Sequence, residues 1–264
     1  MLQVSLWKGP ALLLATVMLA AGTARADSDL LIDYPDFFGP IPAATYDVER
    51  EQVGEARLVI EKLENGNVRI ASESGFTGGA RTIATAELVL ADGSNKLRPV
   101  LQESRSFDPD GNAMGVLSVD HVQGIASCRR PDGRLRGQLA LPPNDRVANV
   151  PLNLLFLPLV RHEKEEIAFQ FFMCGGGARF MDFVANLAPS SRNGHRPQTA
   201  VEVRYGPDFG LATRVAQNFV PKLSFWYAPE APHRWIAHRL PLYGKGPEVF
   251  VVRDGVPTRW LGDD

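Results

Sequence analysis

The sequence is poor in the residues that most often perform chemistry. It holds two cysteines and five histidines in 264 residues. Neither Cys128 nor Cys174 stands in a Cys-x-x-Cys pair, and no second pair exists to complete a zinc site. The G-x-S-x-G, H-E-x-x-H and G-x-G-x-x-G patterns are missing. An excess of one charge is also missing. Lys and Arg number 28 against 30 acidic residues, for a net charge of −2. A large basic patch is not implied, so nucleic acid is not an expected partner. Beyond the first 26 residues no apolar run is long enough to cross a bilayer as a helix. What is present is 45% hydrophobic and 22% charged, an ordinary globular composition. That excludes a disordered chain, and the 24 glycines and 20 prolines follow no collagen-like period.

Residues 1–26 read as an address. Lys8 supplies a positive start, Pro10–Gly22 a short apolar run, and Ala24-Arg25-Ala26 a small-x-small cleavage site. Cleavage is expected after Ala26. The apolar run is well short of the roughly 20 residues of a spanning helix. The product is expected to be periplasmic or secreted. The style of the signal, with no evident glycosylation sequon, favours a bacterial periplasm. In such an oxidising compartment Cys128 and Cys174 are expected to pair.

The rest of the chain reads as one β-rich domain, 27–264, without a linker. Asn65-Gly66, Asp92-Gly93, Asp108-Pro109-Asp110-Gly111 and Arg130-Pro131-Asp132-Gly133 are turn signals. Asn65-Gly66 suggests a type I′ turn, with both central residues at positive φ. Between the turns, apolar residues alternate: Ala56, Leu58, Ile60; then Ala84, Ala86, Leu88, Leu90; then Leu135, Leu139, Leu141. A period of two with one wet face means antiparallel strands covered on one side. Residues 27–45, with Pro35, Pro40 and Pro42, suggest an extended arm laid on the surface. The run 147–160 is apolar nearly all round and reads as a short buried helix, opened by Pro151 and ended by Pro158. The expected fold is mainly β: a large curved antiparallel sheet or half-open barrel wrapped around that helix. Gly175-Gly176-Gly177 lacks the Lys-Ser/Thr of a phosphate loop and reads as a turn.

No catalytic residue, metal site or cofactor is expected. Asp120-His121 lies in a strand pattern, where neighbours face opposite ways. His162 stands in a charged run, His195 in a polar loop, and His233 and His238 flank a short strand. A dispersed Ser-His-Asp triad stays open, because such triads are recognised by geometry and not by sequence.

Three stretches carry a resemblance. They are Asp92-Gly93 through KLRPVLQESRSFD, then GVLSVDHV, and LSFWYAPEAPHRWIAHRLPL near the end. The Asp92–Pro99 strand start and the aromatic strand ending Trp226-Tyr227 before Pro229 resemble a family of uncharacterised bacterial envelope proteins. These have a large half-open antiparallel sheet, similar in form to the periplasmic lipoprotein carriers. The cysteine pair and the proline-bounded helix depart from that pattern. The resemblance implies a concave sheet face that binds a lipid or other apolar ligand. Leu155, Phe156, Leu159, Phe169, Phe171 and Met173 are the expected lining. The alternative is a non-catalytic envelope scaffold or partner-binding protein with a filled core. An uncharacterised hydrolase is the outsider.

Overall fold

A computed structural model describes residues 30–189, 200–210, 223–243 and 246–258. The signal segment and the loop bearing His195 lie outside the described residues. The chain forms one antiparallel sheet of fifteen strands that does not close on itself, with one short helical segment. Strands β2 (Gly39–Tyr46), β3 (Gln52–Lys62), β4 (Val68–Gly75), β5 (Arg81–Leu90), β6 (Lys96–Phe107), β7 (Ala113–Asp120), β8 (Ile125–Arg129) and β9 (Leu135–Ala140) form one meander. Strands β10 (Glu166–Met173), β11 (Arg179–Leu187), β12 (Val201–Pro207), β13 (Leu223–Tyr227), β14 (Trp235–Pro241) and β15 (Glu248–Arg253) form a second. The two meanders join where β15 pairs with β2, Arg253 opposite Ala43 and Phe250 opposite Tyr46. The short β1 (Ile32–Asp33) pairs with β6.

The hairpins follow from their glycines. In three of them one geometry repeats: Leu63 N–H bonds Asn67 O, Asp108 N–H bonds Asn112 O, and Arg130 N–H bonds Arg134 O. The residues that take positive φ are Gly66, Gly111 and Gly133, at 86°, 78° and 82°. Asn65 does not take it, so the turn is not the type I′ pair expected from Asn65-Gly66. One left-handed residue after an ordinary turn suffices, and glycine adopts that conformation without a Cβ penalty.

Two further expectations are corrected. Residues 30–45 are not an arm on the surface. Ile32 and Leu30 are buried in the core, and Gly39–Tyr46 is an interior strand of the sheet. Pro40 and Pro42 are compatible with a strand because they lie beyond the last ladder pair with β15, Arg253 opposite Ala43, and there only the Pro42 carbonyl is used, accepting from Asp254 N–H at 3.0 Å. Pro158 does not end the helix. Helix α1 (Leu152–Leu155) stops at Phe156, and Pro158 lies in the first turn of α2 (Leu157–Val160). There the missing proline N–H has no helical partner to lose.

The core has two sides at the sheet's seam. Ile167, Phe169 and Phe171 of β10 face the main core with α1 and α2. Phe172, one residue on, points the other way into a separate cluster with Val119, Ala126, Cys128 and Val147. The inner face of β7 and β8 therefore packs on the outer face of β10, and the ends of the rolled sheet overlap. Cys128 and Cys174 form a disulfide across this overlap. Gly137 of β9 permits the close approach, since a Cβ there would sit 2.8 Å from the Cβ of Ala178. The segment 146–150 seals the join. Ala148 N–H bonds Gln170 O, and Gln170 N–H bonds Arg146 O. Asn149 donates from its amide to Phe172 O at 2.8 Å and accepts from Phe172 N–H at 3.0 Å. The fully buried Gln102 of β6 accepts from Asn149 N–H at 2.7 Å and Val150 N–H at 2.9 Å. Its amide nitrogen donates to Val147 O at 2.9 Å.

Candidate functional site

The expected lining residues divide by depth. Leu155, Phe156, Leu159 and Phe169 are 3%, 0%, 0% and 1% exposed. The Phe156 ring lies 5.8 Å from Phe169, 5.4 Å from Tyr205 and 5.5 Å from Phe225. At these separations tilted and edge-on aromatic pairs attract, and the helix end of the barrel is filled by the protein's own side chains. Phe171 is half-buried and borders the core. Met173, at the end of β10, is half-buried but stands outside the core clusters.

The opposite end is different. Strand pairing places Ser72, Ala84, Ser104 and Leu117 side by side, and Ser74, Thr82, Ser106 and Gly115 in the next row. They share a face with buried Ile70 and Ala86, so they point inward, and they are half-buried. Across from this hydroxyl-lined wall stand half-buried Phe171, Met181 and Leu223, with Phe76 and Tyr243 also packed against the core. At this end Thr82 Oγ1 donates to Leu242 O, just past β14, at 2.5 Å. His238 faces the same interior, its ring 5.0 Å from Phe225 and 5.4 Å from Trp235. Burial lowers its pKa to about 3, so the ring is neutral at ordinary pH. Burial likewise raises the pKa of Tyr205, and that of Tyr227, where Tyr205 adds to the effect. The Tyr227 hydroxyl donates to Asn153 O at 2.9 Å.

His121 is held by its neighbours. His121 lies just past the end of β7. Both nitrogens of its ring are engaged: Nδ1 lies 2.9 Å from Asp145 and Nε2 2.6 Å from the Gln102 amide nitrogen. Because that amide donates, Nε2 accepts and Nδ1–H donates to Asp145. This pair braces the seam and presents no ring nitrogen to a substrate. Among the described residues no group of three His, Cys, Asp or Glu could hold a metal ion.

Two cavities lie at the helix end. One, about 260 Å³, is polar and lined by Asp33, Lys96, Arg161 and Glu163 among others. Asp33 is buried and bonded to both Lys96 and Arg161, and Arg161 also pairs with Glu163 at 2.8 Å. The second, about 40 Å³, is lined by Asp36, Phe37, Ile41, Ile60, Asn153, Arg234, Trp235 and Arg253. Sequence reasoning singled out neither these cavities nor the hydroxyl wall. The wall leaves a trace, since Ser72, Ser74, Thr82, Ser104 and Ser106 occupy inward positions of otherwise apolar alternations. The cavities leave none, because their residues come from segments far apart in the chain.

The chain matches no described protein family and no curated protein. Among solved structures it is similar to a β-barrel-like protein of the domain of unknown function DUF1849 from Brucella abortus. The match covers 84% of this chain and 96% of that one, at 9% identity and a TM-score of 0.35. At that score the likeness carries no argument about the site.

Proposed function

We propose that this is a non-catalytic binding protein of the bacterial envelope that takes an apolar ligand, such as a lipid acyl chain, at the open end of its rolled sheet. The observation that carries the reading is the set of inward-facing apolar side chains there, Phe171, Met181 and Leu223, left half-buried by the fold. Each methylene buried against them gains about 0.8 kcal/mol, so affinity needs no dense polar recognition. The filled helix end acts as a floor and limits how far a chain can enter. The periplasmic or secreted location belongs to this proposal and rests on residues 1–26. N-terminal sequencing of exported protein should begin at Asp27.

The ligand test is mass spectrometry of lipid extracted from purified protein, with titration of a fluorescent acyl probe. Lipid should co-purify, and Leu223→Asp should weaken probe binding at least tenfold without unfolding the protein. A wild-type protein that carries no lipid and binds no probe would overturn the reading. A second reading, an envelope scaffold or partner-binding protein, is favoured by the complete burial of Phe156, Leu159 and Phe169. It predicts that neither lipid nor probe is found.

A further inference from the structure

The small cavity at the helix end is lined by residues whose hydrogen-bond donors the protein does not use. Trp235 is 6% exposed, and its Nε1–H is buried with no partner among the described residues. Such an orphan donor is costly if nothing pairs with it. Asn153 is 9% exposed and also lines the cavity. Its main-chain carbonyl is taken by Tyr227, while its side-chain amide has no partner among the described residues. Arg234, just before β14, and Arg253, the last residue of β15, line the same cavity and form no ion pair among the described residues. Arg234 lies over the Phe37 ring, 5.8 Å from its centroid, which holds it at the cavity's rim. The one acidic lining residue, Asp36, is exposed and bridges to neither arginine. Phe37 and Ile41 complete the wall with apolar surface.

We propose that this cavity is a binding site for a carboxylate with a short apolar tail. The volume, about 40 Å³, exceeds the ~10–15 Å³ that one water needs. A carboxylate has two acceptor oxygens and no donor. It therefore matches a cavity whose lining residues carry an amide and two guanidinium groups, with the Trp235 indole beside them. The guanidinium fork is suited to carboxylates in particular. The tail lies along Phe37 and Ile41. A free fatty acid and the C-terminus of a peptide ending in an apolar residue share this chemistry. The site is separate from the open end of the sheet and does not depend on that reading.

The test follows the indole N–H resonances of the ¹⁵N-labelled mature protein by NMR, with the Trp235 signal identified from Trp235→Phe. Titrants are octanoate, octanol, and a tripeptide ending in leucine with a free or an amidated C-terminus. Octanoate, the free-acid tripeptide or both should shift the Trp235 signal saturably, and the tighter binder identifies the source. Octanol and the amidated tripeptide should not. Arg253→Gln should weaken the acid about tenfold, in line with loss of one charge-assisted hydrogen bond, with an unchanged spectrum elsewhere. Leu223→Asp, at the other end of the barrel, should leave the titration as it is, which separates this site from the one proposed above. A Trp235 signal that no acid moves, or that octanol moves equally, overturns the proposal. So does an Arg253→Gln protein that binds the acid as well as wild type.

Discussion

Replacing Gln102 with leucine should loosen the seam of the rolled sheet. Leucine is close in size but offers no hydrogen bond. Three main-chain groups then lose their partner inside the protein: the N–H groups of Asn149 and Val150 and the carbonyl of Val147. Each unpaired buried group costs about 1–3 kcal/mol. Some relief will come from water reaching the half-exposed members, so a total of about 4 kcal/mol is expected. For a domain of this size that is a fall of roughly 8–16 °C in Tm. Urea unfolding followed by circular dichroism gives the free energy, and Gln138→Leu on the exposed face of β9 serves as control, with a change within about 0.5 kcal/mol. Amide exchange should also accelerate at Asn149 and Val150 before it does in β3 or β4. A cost below about 1 kcal/mol for Gln102→Leu, with those two amides still protected, would refute the view that this side chain holds the seam.

The Cys128→Ser/Cys174→Ser double variant should lose about 4 kcal/mol in the same assay, the chain-entropy value for a 46-residue separation; an unchanged midpoint would count against that. Phe156→Ala should cost roughly 3–5 kcal/mol, because four aromatic rings meet there and a cavity remains; a much smaller loss would mean the helix end is not filled. His238 has a folded pKa of about 3, below its unfolded value. The unfolded chain therefore takes up its proton first as pH falls, and stability is lost from about pH 6.5 down to about pH 3. His238→Phe should flatten that part of the stability profile, and a profile identical to wild type would contradict the assignment.

Much of the sheet was legible because its information is local. The alternation Ala84, Ala86, Leu88 set the inward face of β5, and Gly66, Gly111 and Gly133 marked hairpins whose geometry needs a residue at positive φ. The cysteine pair was expected from number and from the compartment that residues 1–26 suggest. The join between the two meanders was not legible. Nothing in Ala43–Tyr46 announces that it will pair with Phe250–Arg253, at the other end of the chain. Pro40 and Pro42 looked like features of a loop, and only the reach of β15 shows why a strand tolerates them. The dense apolar residues of Leu152–Leu159 and Phe169 marked buried segments but could not distinguish a groove from a filled core. Trp235, Asn153, Arg234 and Arg253 converge only after folding, so no spacing betrays them.

The sheet order has a consequence for assembly. Every neighbouring pair within β2–β9 and within β10–β15 is a short-range hairpin or meander pairing, which forms with little loop-closure cost. Two pairings are long-range: the two-residue β1–β6 pairing, and the β15–β2 ladder, which brings together residues from both termini. A chain emerging N-terminus first from synthesis can complete the first meander while β2 still has an unpaired edge. Pro40 and Pro42 remove two N–H groups from that strand, which lessens its capacity to recruit a neighbouring chain. The last strand to arrive, Glu248–Arg253, then covers the remainder. Truncation just before Glu248 should therefore harm more than the loss of one strand suggests: it leaves two half-sheets with no ladder between them and a standing edge open to aggregation.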